Sequence, residues 1–281
     1  VIAVNIQGGL GNQLFQYAFA FTIANQYRTF AFLDHSHPFI IPIYFKINKY
    51  HLWIENYKFL RKINRKICNR IKSSNFVDLT DCNIPYKKEL IKNNTYYNGF
   101  FQSEKFFDNN KDPINKKFKI RRRYRIQFTN KYKEYLDQNN VLVIHIRRKD
   151  YLTHGIGKGL GNDDLSLPVD FYKKSLSSIN NIEKYKIFVI GDDTEFAKNN
   201  FSFLRNVSFP ENDLIIDFQL IMNADIAIIS NSTFAWWAAY QNNKPNKLII
   251  APKYFLGFYL GREFPNGISV NTTFKWVDVL S

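Results

Sequence analysis

The sequence predicts an α/β fold built from two parallel-sheet domains, and three observations carry that expectation. The chain opens on an apolar run, Val1–Gln7 (VIAVNIQ), which leads through a glycine-rich turn into an apolar helix and a second apolar run. From Val141 onward, short apolar runs alternate with helical stretches, the pattern of a parallel sheet with crossover helices. The length of 281 residues suits two domains of about 100–150 residues, and 45% apolar residues are enough to fill a core in each.

Taken in order, Val1–Gln7 reads as a buried strand, and Gly8, Gly9 and Gly11 as the tight turn after it. Leu14–Tyr27 is apolar nearly all round, as a buried helix is, and Thr29–Leu33 is a second strand. The pattern weakens over 35–95. Its clearest feature is the basic stretch Lys58–Lys72, where Leu60, Ile63, Ile67 and Ile71 recur at helical spacing and charges occupy other positions. Tyr96–Phe101 predicts a strand and Ser103 a helix start; a second basic run covers Lys116–Arg125. A domain boundary is expected between 126 and 140, dividing 1–135 from 136–281. Beyond it, strands are predicted at Val141–Ile146, Lys186–Ile190, Ile226–Ile229 and Lys247–Ala251. A glycine-rich loop covers 155–161. Helices are predicted at Pro168–Ile179, where Pro suits the first turn, at Asp213–Asn223 (amphipathic), and at Phe234–Gln241.

The formal charge is +15, from 39 Lys and Arg against 24 Asp and Glu. A field of that sign attracts a nucleotide diphosphate, nucleic acid, an anionic membrane or an acidic glycan, and does not choose among them. Cys68 and Cys82 show no metal-ligand spacing and no disulfide framework, which suits a reducing compartment. No run reaches the roughly 18–20 apolar residues of a membrane span. No signal peptide is visible before the strand at Val1. The expected location is therefore the cytoplasm, with Lys58–Lys72 a candidate for peripheral contact with anionic lipid at the inner face of the cell membrane.

Three segments carry chemistry. In the first, Gly8-Gly9-Leu10-Gly11-Asn12-Gln13, glycines after a first strand let the backbone approach a ligand, and Asn12 and Gln13 can bind polar groups. Gly9 and Gly11 with Asp34 also sketch a dinucleotide fingerprint, but Leu14 stands where its third glycine belongs. In the second, His145-Ile146-Arg147-Arg148-Lys149-Asp150-Tyr151, two arginines directly follow a six-residue strand that is apolar but for His145. Ligands bind at that end of a parallel sheet, and arginine is the best fork for phosphate oxygens; Asp150 can pair or orient one of them. In the third, Ser230-Asn231-Ser232-Thr233, hydroxyl and amide residues sit between a strand and a helix start, where free amides and the helix dipole favour an anion. Gly191-Asp192-Asp193 ends another strand, and its carboxylates either bind a base or ribose or cap the next helix.

Together these residues resemble the α-1,2-fucosyltransferase family, which is related to the α-1,6- and protein O-fucosyltransferases. GGLGNQLFQYAFA (8–20), HIRRKDY (145–151) and SNSTFAWWAAY (230–240) resemble three family motifs in the family's order. The resemblance implies a GT-B-type architecture, two Rossmann-like domains facing a cleft, with acceptor on the N-terminal side and GDP-β-L-fucose in the C-terminal domain. It implies inverting transfer of L-fucose to a glycan hydroxyl, by default the 2-hydroxyl of a β-galactoside in O-antigen or surface polysaccharide synthesis, with no metal and no cofactor. Arg147 matches the arginine on the β-phosphate, supported by Arg148. His145 matches a position near guanine or ribose. Asp192 or Asp193 belongs near the base. Ser232 and Thr233, beside Asn231, match the diphosphate-binding hydroxyls, and Gly9, Gly11 and Asn12 match the loop that approaches the fucose. Lys149 departs from the family's usual glycine. Asp150 and His154 are both candidates for a general base, and a late deprotonation needs neither. A NAD-dependent enzyme and a nucleic-acid-binding protein are the rival readings; the regular βα pattern speaks against the second.

Overall fold

The computed structural model describes residues 1–35, 37–47, 49–107, 114, 118–137 and 140–280. Lys116 and Lys117 of the second basic run lie outside them. The chain divides into two compact units, one of Val1–Arg121 with Asn266–Val270, the other of Arg122–Pro265 with Asn271–Ser281.

The first unit carries β1 (Ile2–Ile6), α1 (Leu10–Gln26), β2 (Ala31–His35), α2 (Ile41–Tyr44), β3 (Phe45–Lys46), α3 (Lys49–Asn56), α4 (Lys58–Ser74), β4 (Phe76–Leu79), β5 (Thr95–Gly99) and β6 (Lys119–Ile120). Its parallel sheet has the order β2-β1-β5-β4, and β3 and β6 form a separate antiparallel pair. The chain leaves β1 toward β2 on one side and later adds β5 on the other, so the sheet changes direction between β1 and β5. That switch point is where open α/β sheets hold ligands. The turn that fills it begins at Gly8, whose φ of +76° suits glycine. α1 starts at Leu10, four residues before the apolar stretch suggests, because Gly9 takes the N-cap. Thirteen of its residues are buried, as expected for a helix apolar all round.

α4 lies on the sheet through Cys68 and Ile71, which meet Ala3, Phe32 and Tyr96. Burial pushes the Cys68 thiol up to about 12, with Asp34 adding to the effect, so Cys68 behaves as a core residue. The helix expected from Ser103 is a single 3₁₀ turn, Glu104–Phe106, capped by the Ser103 hydroxyl. The segment 266–270 returns to this unit: Ile268 is fully buried, and the Asn266 amide donates to the Cys82 carbonyl at 2.8 Å.

The second unit carries α5 (Arg122–Asp137), β7 (Val141–Ile146), α6 (Val169–Ser177), β8 (Lys186–Gly191), α7 (Thr194–Phe201), β9 (Val207–Ser208), α8 (Leu214–Asn223), β10 (Ile226–Ile228), α9 (Thr233–Tyr240), β11 (Leu248–Pro252) and β12 (Phe274–Val277). All its sheet neighbours are parallel, in the order β12-β11-β10-β7-β8-β9. The expected boundary at 135/136 falls inside α5, and the structure moves it to 121/122. α5 belongs here because Phe128 and Tyr132 bury its inner stripe, Tyr132 meets Phe188 edge-on at 5.3 Å, and Gln219 donates to the Tyr124 carbonyl. α8, expected to be amphipathic, is buried over Ile215, Ile216 and Phe218–Ile221, because α5 and α9 both pack against it. Leu142, Ile144 and Ile146 face Phe171, Tyr172 and Leu176 in the main core of this unit. Its switch point lies between β7 and β10.

Candidate functional site

In the second unit, the two motifs meet across that switch point. His145 is the fifth residue of β7, and its Nδ1 lies 2.8 Å from the Ser230 hydroxyl just beyond β10. The ring is buried and faces Phe234 at 5.7 Å. Burial above all, and the Arg147 charge second, push its pKa down to about 3, so the imidazole is neutral at physiological pH. It is therefore a hydrogen-bonding spacer between two strand ends. The linkage has a definite sign. Unfolded, the ring protonates below its ordinary 6.5; folded, it stays neutral until about pH 3. Its contribution to stability is complete above pH 6.5 and is lost as pH falls toward 3. Between pH 7 and 5 the loss is about 2 kcal/mol. Asp217, whose pKa burial raises to about 7, works in the opposite direction over this window, so the expected result in urea unfolding is that the parent loses about 2 kcal/mol more than His145→Asn between the two pH values. Equal losses in both would refute the assignment.

Immediately after β7 the chain exposes two arginines, and both are held by carboxylates. Arg147 donates to Asp150 at 2.8 Å and lies 3.4 Å from Asp192. Partial burial works against its charge, but the Asp150 hydrogen bond and the charges of Asp150 and Asp192 outweigh it and keep the guanidinium firmly protonated. Arg148 lies 3.4 Å from Asp193, donates to Ser166 and sits over the Phe196 ring at 4.4 Å. Its backbone amide donates to Asp192 at 2.8 Å. Asp193 also caps α7 by accepting from the Phe196 amide at 3.0 Å. Of the roles the sequence offered Asp192 and Asp193, the structure shows capping, by Asp193; both carboxylates also brace the arginines, which the sequence did not suggest.

Gly191 sets their position. At φ +144° it ends β8 beside Ile146, and a Cβ placed there would lie 2.0 Å from the Ile146 carbonyl oxygen. Only glycine lets β7 and β8 end together with Asp192 turned back under Arg148.

Ser232 is the N-cap of α9, and its side chain makes no capping hydrogen bond. The first amides of a helix have no partner within it, so the start of α9 offers donors to an anion. Thr233 opens the helix. Asn231 is buried and donates to the Leu165 carbonyl at 2.8 Å, while its Oδ1 has no donor among the described residues. Tyr151, which the sequence quoted only as part of a motif, ties the two segments together: its hydroxyl donates to the Asn231 carbonyl at 3.0 Å. Trp236 and Trp237 are fully buried and serve the core, Trp236 stacking on Tyr240.

The two base candidates differ. The Asp150 carboxylate is exposed and committed to Arg147. His154 stacks on Tyr151 with 5.0 Å between ring centres, and Lys158 Nζ lies 2.9 Å from its Nε2. Burial first and the Lys158 charge second lower its pKa, so it too is neutral near pH 7. Lys149 is exposed within the 3₁₀ turn Lys149–Thr153. Among the described residues, no group of three or more His, Cys, Asp or Glu is placed to hold a metal ion.

In the first unit, Gly9 caps α1 at the carboxyl end of β1; Gly11, expected in the turn, is instead a buried residue of the first turn of α1, with Asn12 next to it. A Cβ on Gly9 would meet nothing within 4 Å, so neither strain nor crowding requires glycine there. Its open face fits close approach by a ligand. Gly9→Ala is expected to keep parental stability within about 1 kcal/mol while lowering turnover roughly tenfold, a loss of about 1.4 kcal/mol. Full turnover would remove Gly9 from the site. Asn12 accepts from Gln102 Nε2 at 2.8 Å. Gln13, expected with Asn12 to face a ligand, is instead a structural staple. It donates to the carbonyls of Gly8 and Pro38 and accepts from the Ile40 amide, all within 3.0 Å. Asp34, the acid of the dinucleotide sketch, accepts from the Tyr96 hydroxyl at 2.8 Å.

Known proteins resemble the chain in sequence or in fold. The chain is 27% identical to the O-antigen biosynthesis glycosyltransferase WbnK of Escherichia coli, covering 90% of this chain and 94% of that one. It is 28% identical to an Escherichia coli alpha-1,2-colitosyltransferase, covering 90% and 91%. Among solved structures it resembles the NodZ α-1,6-fucosyltransferase soaked with GDP-fucose, with a TM-score of 0.53 at 15% identity over 85% of this chain and 92% of that one. The fold is the GT-B-type α/β fold of such enzymes. Residues 1–255 match the model of glycosyl transferase family 11, and the chain belongs to that family of glycosyltransferases.

Proposed function

We propose that the protein transfers L-fucose from GDP-β-L-fucose to the 2-hydroxyl of a β-galactoside, with inversion, in the synthesis of an O-antigen or related surface polysaccharide. The observation that supports this most is Arg147, held charged by Asp150 and Asp192 at the switch point of the second unit. In this reading the diphosphate of the donor lies against Arg147 and the start of α9, where Ser232 and Thr233 add hydroxyls. The acceptor oxygen forms its bond to C1 of the sugar as the bond from C1 to the β-phosphate oxygen breaks. The electron pair leaves with GDP, and Arg147 and the helix amides neutralise the charge that grows there. Arg148, Arg147 and the helix start supply this positive field, so the reading needs no metal. His145, neutral and fixed by Ser230, keeps the two strand ends in register. Gly9, Gly11 and Asn12 are assigned to the sugar on the family motif. The base that takes the acceptor proton is Asp150 or His154, each already partnered, by Arg147 and by Lys158 respectively.

Fucose and the 1,2 linkage rest on the family and on the relatives the chain resembles, one of which is an alpha-1,2-colitosyltransferase. A colitosyl donor is therefore the second reading. Incubation with GDP-fucose, and separately with the GDP derivative of colitose, against a panel of β-galactosides separates them. The expected product is α-fucose on the galactose 2-hydroxyl, identified by NMR. Turnover of colitose alone, or another linkage, would replace the reading. A ligand-induced rise in melting temperature is expected with GDP and not with NAD; the reverse would restore the dinucleotide enzyme.

A further inference from the structure

The surface of α4 has a composition that neither the fold nor the transfer reaction explains. Between Lys58 and Ser74 there are seven lysines and arginines and no acidic residue. Asn64, Cys68 and Ile71 turn inward, and Asn64 donates to the Leu33 carbonyl at 2.8 Å. The opposite face carries Lys62, Lys66 and Arg70 at four-residue spacing, all exposed. It also carries apolar side chains that the unit does not cover. Phe59 is 71% exposed, Ile63 38%, and Tyr57, at the N-cap, 59%. Phe59 and Ile63 stand four residues apart, hence side by side.

Cations alone describe a solvated helix face, and an apolar patch alone describes any sticky surface. Interleaved on one helix, they describe a surface that enters an anionic interface: lysines and arginines meet headgroup phosphates while aromatic and branched side chains sink between them. The direction of α4 adds to this. Its carboxyl end reaches Asn75, whose carbonyl accepts from the Tyr96 amide at the beginning of β5. Its amino end, with Tyr57 and Phe59, therefore points to the carboxyl ends of the strands, the end of this unit that bears Gly9 and the start of α1. The geometry points to the outer face of α4 as a docking surface for a bilayer containing anionic phospholipid, with Tyr57, Phe59 and Ile63 as the inserted groups and Lys62, Lys66 and Arg70 as the phosphate contacts. An acceptor carried on a lipid would then be met at the bilayer surface.

Sedimentation of the full chain with vesicles tests this without donor or acceptor, so its outcome does not depend on the assigned reaction. Vesicles of phosphatidylcholine with one-third phosphatidylglycerol are expected to bind at least about tenfold more protein than pure phosphatidylcholine. Lys62→Glu with Lys66→Glu and Arg70→Glu is expected to abolish that preference. Phe59→Ser with Ile63→Ser is expected to weaken binding severalfold at unchanged charge. Both variants should melt with the parent and turn over a soluble acceptor normally, since all the altered side chains are exposed. Equal binding to the two vesicle types overturns the proposal. So does parental binding by the charge-reversed variant, and so does a preference for short single-stranded oligonucleotides over the anionic vesicles, which Phe59→Ser with Ile63→Ser leaves intact.

Discussion

Replacing Arg147 by alanine is expected to lower turnover at least about 10³-fold, roughly 4 kcal/mol of transition-state stabilisation, with little change in melting temperature. The size follows from position. Arg147 is the charged group at the switch point that Asp150 and Asp192 hold in place. In the proposed reaction its interaction with the leaving diphosphate would grow as the sugar departs, so the loss is expected in kcat more than in KM. Stability changes little because the side chain is partly exposed, and exposed ion pairs contribute about 0–1 kcal/mol. Arg147→Lys should recover only part of the activity, since an ammonium cannot present two parallel donors to a phosphate while keeping Asp150. Steady-state kinetics with GDP-fucose, beside a melting curve, checks both statements. Near-parental turnover by the alanine variant would take Arg147 out of the chemistry altogether.

The second large effect is expected at a residue with no reactive group. Gly191→Ala drives a methyl group to 2.0 Å from the Ile146 carbonyl oxygen, at a φ of +144° that other residues rarely adopt. Neither neighbour is the yielding end of a flexible side chain, so β7 and β8 must separate. We expect a loss of about 3–5 kcal/mol in urea unfolding, the range of combined backbone strain and overpacking. Activity should fall beyond the loss of folded protein, because Asp192 follows Gly191 and holds both the Arg148 amide and Arg147. Arg147→Ala and Gly191→Ala are thus distinguishable: the first removes activity and spares stability, the second removes both. An alanine variant that unfolds at the parental urea concentration would sink this account of the strand ends.

The sequence shows the arginine site plainly because its signal is local. Arg147 and Arg148 directly follow a strand that is apolar but for His145, which is unlike an ordinary surface cluster, and β7 places them where expected. The start of α9 is legible for the same reason. The turn at Gly8 and Gly9 is legible, but not that Leu10, Gly11, Asn12 and Gln13 already belong to α1, nor how these residues divide their labour. Gln13 finds its partners at Pro38 and Ile40, and Asn12 finds Gln102, ninety residues away. No spacing rule announces such pairings. α5 was hidden because its inner stripe is only Phe128 and Tyr132 among many charges, so composition suggested a boundary where the fold has a packed helix. β4 escaped notice because it is an edge strand of Phe76–Leu79 without a fully buried residue. The bracing of Arg148 by Asp193, forty-five positions on, depends on β7 and β8 lying side by side, which is a property of the sheet.

The return of residues 266–270 to the first unit bears on how the chain can be taken apart. A fragment ending at Arg121 would lack Ile268, which is fully buried, and would leave Ser103 without the close approach of Gly267. Such a fragment has a hole in its core, and the complementary fragment carries an apolar strip with no home. Expressing the halves separately should therefore give two insoluble products. Fusing 266–270 back to the first unit through a short flexible linker, and closing the second unit from Pro265 to Asn271, is the dissection the connectivity permits. It would let GDP affinity be measured on the arginine-bearing half alone.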